Sequence, residues 1–132
     1  MIVYVDTFAA MKLLVEEAES EALADYLEEV RSTASDTLVA SLLLHTELHC
    51  AANRQAGHIQ TQAVADVLST LSLIDVESGD LVTAPMLPGR LGSADAIHLA
   101  TALRVDAQSM VAYDVELGAA ASAAGIAVVS PG

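Results

Sequence analysis

The chain opens Met1-Ile2-Val3-Tyr4-Val5-Asp6, and these six residues decide the fold. β-Branched and aromatic residues follow one another without polar alternation, the pattern of a strand buried on both faces inside a parallel sheet. Asp6 closes that strand. In open α/β sheets, ligands bind beyond the carboxyl ends of the strands, so an acid ending a central strand stands where chemistry can be done. Asp6 and Thr7 are also residue types favoured at helix N-caps, and on local sequence alone both roles stay open.

Outward from this strand, Thr7 to Val15 holds helix formers and no breaker, which predicts a strand-to-helix turn at Asp6-Thr7. A helix is expected over Glu16 to Glu29, a stretch with seven acids and no base. Leu23, Tyr26, Leu27 and Val30 recur at helical spacing, while Glu17, Glu21, Asp25 and Glu28 line another face. That acidic face is either solvated or a landing site for a basic partner. Thr37 to Ala40 predicts a second strand and Ser41 to Gln55 a helix ending near Gly57. Glu47 falls three residues after Leu44 and four before Ala51, on the apolar face. A carboxylate there costs several kcal/mol unless a partner, a metal or a solvent-facing head compensates.

A helix over His58 to Leu71, a strand over Ser72 to Val76 and a short helix from Glu77 that Pro85 ends come next. After the loop Pro88-Gly89-Arg90-Leu91-Gly92, Ser93 reads as the N-cap of a helix from Ala94 to about Val105, with Asp95 in its first turn and His98 expected to pack. Ser109 to Tyr113 repeats the opening grammar: an apolar strand, then an acid, Asp114, then a helix stopped by Gly125. Ile126 to Val129 forms a last strand. The alternation predicts an α/β fold with a largely parallel sheet of four to five strands.

With 132 residues, 54% hydrophobic and 17% charged, the chain is expected to pack as one domain over residues 1–132 rather than to be disordered. No apolar stretch reaches the ~20 residues that span a bilayer, and Asp6 interrupts the start before a signal-peptide core could form, so a cytoplasmic location without membrane contact is expected. Cys50 is the only cysteine, which excludes an internal disulfide; a buried, inert thiol is expected. Net charge is -13. Such a balance argues against a nucleic-acid binder that works through basic stripes, though not against a nuclease whose acids hold cations that meet the phosphate.

His45 and His49 flank Glu47, but the acid stands two residues after the first histidine, so the HExxH zinc geometry fails. A phosphoryl-transfer enzyme of haloacid-dehalogenase type also begins with a strand ending in Asp, yet typically has a second Asp two residues on, where this chain has Phe8. Asp6, Glu47, Asp95 and Asp114 together suit a different task. Four carboxylates drawn to one sheet edge repel unless divalent cations neutralise them, and hard oxygen ligands select Mg²⁺ or Mn²⁺.

Val3-Tyr4-Val5-Asp6-Thr7, Glu47, the segment from Gly92 to Ala100 and Val111-Ala112-Tyr113-Asp114 resemble, in order and spacing, the four motifs of PIN-domain ribonucleases, in particular VapC-type toxins of VapBC toxin-antitoxin systems. The resemblance implies a PIN-like three-layer sandwich and an endoribonuclease, a hydrolase dependent on Mg²⁺ or Mn²⁺. It makes Asp6, Glu47, Asp95 and Asp114 the catalytic metal-binding carboxylates, with Glu116 matching a further acid of some members. It also implies a prokaryotic homodimer silenced by a VapB-type antitoxin, reaching DNA only through that partner. Two positions depart from the pattern: Phe8 stands where Ser or Asn is frequent, and Ala112 where Thr or Ser is. Both remove polar groups that could orient metal-bound water, leaving the hydroxyls of Thr7 and Ser93, so activity with weaker metal affinity is expected. Lys12, Arg54, Arg90 and Arg104 are the candidate contacts to RNA phosphate. The rival reading is a catalytically degenerate PIN-like module that acts by protein association alone.

Overall fold

The computed structural model describes residues 1–132. Five strands, β1 Ile2–Val5, β2 Thr37–Ser41, β3 Ser72–Ile74, β4 Ser109–Val111 and β5 Ala127–Val129, form one sheet in the order β3-β2-β1-β4-β5. Every pairing is parallel. β1 is central, as its apolar run requires, and is buried from Val3 through Asp6.

Side chains of β1 alternate between two packed layers. Val3 and Val5 join Leu38 and Ala40 on one face, under α1 (Thr7–Met11), α2 (Ser20–Ser32), α3 (Leu43–Arg54) and α4 (Thr61–Ser69). Tyr4 joins Val39, Met110 and Ala112 on the other, under α6 (Ser93–Arg104) and α7 (Val115–Ala123). The result is the three-layer sandwich expected, with helices on both faces of an all-parallel sheet. α5 (Ser78–Thr83) runs into a 3₁₀ turn over Ala84–Met86, where Pro85 ends the α-helical bonding.

Several elements are shorter than their sequence patterns. α1 stops at Met11, after which Leu13 and Leu14 bond to carbonyls three residues back and tighten the chain into turns. Glu16 to Glu19 lie outside α2: Ser20 Oγ accepts from the Glu17 N–H at 2.8 Å and donates to the Lys12 carbonyl at 2.7 Å, holding the entry open. Lys12 bridges Glu17 at 2.5 Å and Glu19 at 3.2 Å across the same bend. Leu23, Leu27 and Val30 are the buried face of α2, and Glu21 and Asp25 are exposed. Gly92, not Ser93, caps α6, and Ser93 is its exposed first residue without a capping bond. Cys50 is exposed rather than buried: α3 points Leu44, Leu48, Ala51 and Ala52 inward, and residue 50 falls on the outer face. No helix is long and apolar enough to cross a membrane.

Candidate active site

The chain builds β1, β2 and β3 to one side and then returns to place β4 and β5 on the other. The sequence direction therefore reverses between β1 and β4, and such switch points open a crevice at the carboxyl ends of the strands. Asp6 follows Val5, which pairs with Val111, and Asp114 follows β4 by three residues. The two acids flank that crevice.

Asp6 is both cap and buried acid. Its backbone N–H extends the ladder to the Val111 carbonyl at 3.1 Å, and its Oδ2 accepts from the Phe8 N–H at 3.4 Å as α1 begins. The side chain is 0% exposed, and Oδ1 has no hydrogen-bond partner. Burial pushes its carboxyl up to about 6, with the negative charge of Asp95 adding to the effect and His98 and the N–H groups of Thr7 and Phe8 opposing it. Asp114 caps α7, its Oδ1 accepting from the Leu117 N–H at 2.8 Å. Asp95, in the first turn of α6, gains from the helix dipole, yet burial and then Asp114, Glu47 and Glu116 raise its carboxyl above the ordinary range. Asp6, Glu47, Asp95, Asp114 and Glu116 thus share one electrostatic neighbourhood. Glu116 is at its exposed rim.

Glu47 is oriented by a buried chain of hydrogen bonds. The Ser41 N–H donates to the Tyr4 hydroxyl at 3.1 Å, and that hydroxyl stands 2.6 Å from His98 Nδ1. Burial pushes the Tyr4 phenol up, so it keeps its proton and donates to Nδ1. Nε2 of His98 then carries the hydrogen that faces Glu47 Oε1 at 2.5 Å, while the Thr7 hydroxyl donates to the same oxygen at 2.9 Å. Burial raises the Glu47 carboxyl, but its bonds to His98 and Thr7 outweigh that and leave it below the ordinary range. The histidine expected to pack is a fully buried link in this chain. Its signal was present in the sequence: a tyrosine inside a strand buried on both faces needs a partner for its hydroxyl.

The donors are oxygens, they repel one another, and one of them is orphaned in the interior, which fits a hard divalent cation. As they stand, no three His, Cys, Asp or Glu side chains are gathered closely enough to hold an ion, so the acids share a crevice and not a preformed cage. His45 and His49 lie apart from them as a tilted ring pair, centroids 4.5 Å apart. Of the cations named from sequence, Arg54 and Arg90 are exposed and form no ion pair. Lys12 is spent on Glu17 and Glu19 and lies over the Tyr113 ring, 4.7 Å from its centroid. Arg104 grips the buried Asp80 at 2.8 Å and Glu77 at 3.2 Å, so unlike Arg54 and Arg90 it is already ion-paired.

The PIN domain model matches residues 3–123. Ribonuclease VapC35 of Mycobacterium tuberculosis is 36% identical over 136 residues, covering 99% of this chain and 98% of the relative. Among solved structures, VapBC2 from Rickettsia felis, bound to a promoter DNA fragment, superposes with a TM-score of 0.80 at 16% identity over 100% of both chains. VapC20 of Mycobacterium tuberculosis, described as a sarcin-ricin loop cleaving toxin, gives 0.70 at 20% identity over 98% of this chain and 99% of its own. By the family model across most of its length and a full-length relative above a third identical, the chain belongs to the PIN-domain family and to its VapC branch.

Proposed function

We propose that this protein is a metal-dependent endoribonuclease, the toxin of a type II toxin-antitoxin pair. The observation that carries the reading is Asp6, wholly buried with one carboxylate oxygen unpartnered and facing the charge of Asp95. A buried, unsatisfied carboxylate is costly, and such cost is retained where function needs the group. Asp6, Glu47, Asp95 and Asp114 would hold Mg²⁺ or Mn²⁺, with Glu116 adding an acid at the rim. When bound, the ion supplies the positive charge that steadies the phosphodiester oxygens and lowers the pKa of water. His98 and Thr7 hold Glu47 Oε1, which leaves its second oxygen available for ligation or for accepting a proton. The Thr7 hydroxyl is committed to Glu47, which leaves the exposed Ser93 hydroxyl the freer of the two to orient water. Arg54 and Arg90 are the cations available to RNA phosphate.

The partners follow from the same reading. Relatives occur as VapBC pairs, one described as bound to promoter DNA, which supports a cognate VapB-type antitoxin and DNA contact through it. A homodimer in a bacterial cytoplasm completes the proposal.

Calorimetric titration with Mn²⁺ of the parent, Asp6→Asn and Asp95→Asn tests it. Asp6→Asn keeps the N-cap chemistry of α1, and both variants keep side-chain size. Binding in the parent that both variants lose without loss of helical circular dichroism, followed by RNA cleavage that depends on the ion, is the expected result. A parent that binds no Mn²⁺ at millimolar concentration would favour the degenerate, association-only module.

A further inference from the structure

We infer that Phe8 is a stacking platform for one unpaired base of the RNA strand, seated in the groove beside it, an assignment that rests on the ribonuclease reading above. Phe8 is the chain's only phenylalanine, and at 56% exposure it is the one aromatic ring among the exposed large apolar side chains. Its backbone N–H bonds to Asp6 Oδ2, so the ring and the buried acid are tied to one turn of chain.

The ring borders a groove of about 260 Å³ shared with Met11, Lys12, Glu17, Tyr113 and Asp114. Asp114 belongs to this groove and to the acid neighbourhood alike. A strand whose phosphate reaches those acids therefore lays a flanking base against Phe8. Tyr113 is anchored by its hydroxyl bond to the Pro131 carbonyl at 2.7 Å, and Lys12 covers its ring, which gives the groove a fixed far wall. The chemistry is mixed in the way a nucleobase is mixed. An aromatic face meets the Phe8 ring, while the donors and acceptors of a base edge meet Asp114, Glu17 and Lys12. Lys12 and Glu17 meet such an edge as an ion pair already formed, while Asp114 Oδ2, outside the capping bond that its Oδ1 accepts, is left to take a base N–H.

The charge balance adds a reason. With a net charge of -13 and only Arg54 and Arg90 outside ion pairs, phosphate contacts supply little affinity. Stacking is indifferent to net charge and serves every base, because every base has a π-face. It also selects a substrate class, since a base inside a duplex has no free face to offer: single-stranded or loop RNA.

The chain holds no tryptophan, so Phe8→Trp creates a single indole at the groove, excited to the red of the chain's three tyrosines. Its emission is to be recorded on rapid mixing with single-stranded RNA oligonucleotides about ten nucleotides long, and with the same strands in duplex. Alongside, KM and kcat for RNA cleavage are measured for Phe8→Ala and Phe8→Tyr, with Mn²⁺ calorimetry on each. We expect quenching by the single strand and none by the duplex. Phe8→Ala should raise KM about tenfold with a smaller change in kcat, Phe8→Tyr should restore it, and Mn²⁺ binding should be unchanged in both. Parental KM in Phe8→Ala together with an unquenched indole overturns the platform and leaves the ribonuclease reading standing. Quenching by RNA that the parent does not cleave upholds the platform and removes the ribonuclease reading. An indole silent to RNA in a parent that cleaves none defeats both, and emission that changes only with a protein partner hands the groove to that partner and overturns the inference.

Discussion

The Tyr4 hydroxyl and His98 Nδ1 stand 2.6 Å apart across 94 residues of sequence, and through them a backbone amide of β2 is linked to the carboxylate of Glu47 on α3. Tyr4→Phe removes the middle of this chain and leaves the Ser41 N–H and His98 Nδ1 buried without partners. It should destabilise the protein by about 1–3 kcal/mol, read from a urea midpoint at unchanged slope. Mn²⁺ affinity should fall about tenfold as Glu47 loses its orientation, a loss that a merely structural tyrosine would not produce.

Asp6 should make the metal-free protein less stable as pH rises. Its carboxyl lies at about 6 in the fold against an ordinary 3.8, so the folded state holds its proton more tightly than the unfolded state does. The associated stability is present below pH 4 and lost as pH rises through 6, amounting to about 3 kcal/mol by pH 7. Subtracting the melting curve of Asp6→Asn from that of the parent between pH 4 and 8 isolates this contribution. The variant should be the more stable protein at pH 7, and excess Mn²⁺ should raise the melting temperature of the parent alone.

Asp80 is the opposite case. The Arg104 guanidinium holds its carboxyl below the ordinary range, outweighing burial, with the Glu77 N–H and the Thr101 hydroxyl contributing. Its contribution is present above the unfolded value near 4 and lost as pH falls through the lower folded value. Asp80→Ala should cost about 1–3 kcal/mol at neutral pH, because the Glu77 N–H and the Thr101 hydroxyl lose their acceptor and Arg104 keeps only Glu77 and the Asp75 carbonyl, and should leave Mn²⁺ binding intact. Equilibrium urea unfolding with parallel calorimetry measures both.

Arg54→Ala and Arg90→Ala should each weaken RNA binding and lower the slope of log affinity against log salt by about 0.7, the single-strand value for one phosphate contact. Arg104→Ala should leave that slope alone, since Asp80, Glu77 and the Asp75 carbonyl already occupy its head group. Filter binding at graded salt separates the three.

Glu21 and Asp25 are exposed on α2 with no cation beside them, whereas Glu17 is held by Lys12. Reversing Glu21 and Asp25 to Lys should slow association with a basic antitoxin segment at low salt and converge with the parent at high salt. An unchanged on-rate in stopped-flow mixing would show that this face is only solvated.

The inner strands β1, β2 and β4 were legible because each is an apolar run that a buried sheet accepts, the half-buried edge strands β3 and β5 were read from short apolar runs, and the strand-end acids 6 and 114 already marked one edge. Less legible were features set by distant partners. Arg104 looked like a free cation because Asp80, 24 residues upstream, carries no local sign that the capping of α5 will bury it beneath that guanidinium. His98 looked like packing because its three partners come from β1, the start of α1 and α3. The extent of α2 was overread for a related reason: the acids of Glu16 to Glu19 have good helix propensity, and Ser20 and Lys12 override it through bonds that propensity does not contain.

The crevice between β1 and β4 has a consequence for the protein's birth. Val5 and Val111 are ladder partners separated by nearly the whole chain, so the edge that joins Asp6 to Asp114 is absent until the ribosome has released β4. A nascent or truncated chain lacking that strand has Asp6 but no opposing wall to bury it and no second strand-end acid. Premature termination or proteolytic clipping before residue 109 thus yields fragments without the charged crevice, and the nuclease activity proposed above is confined to chains completed through β4.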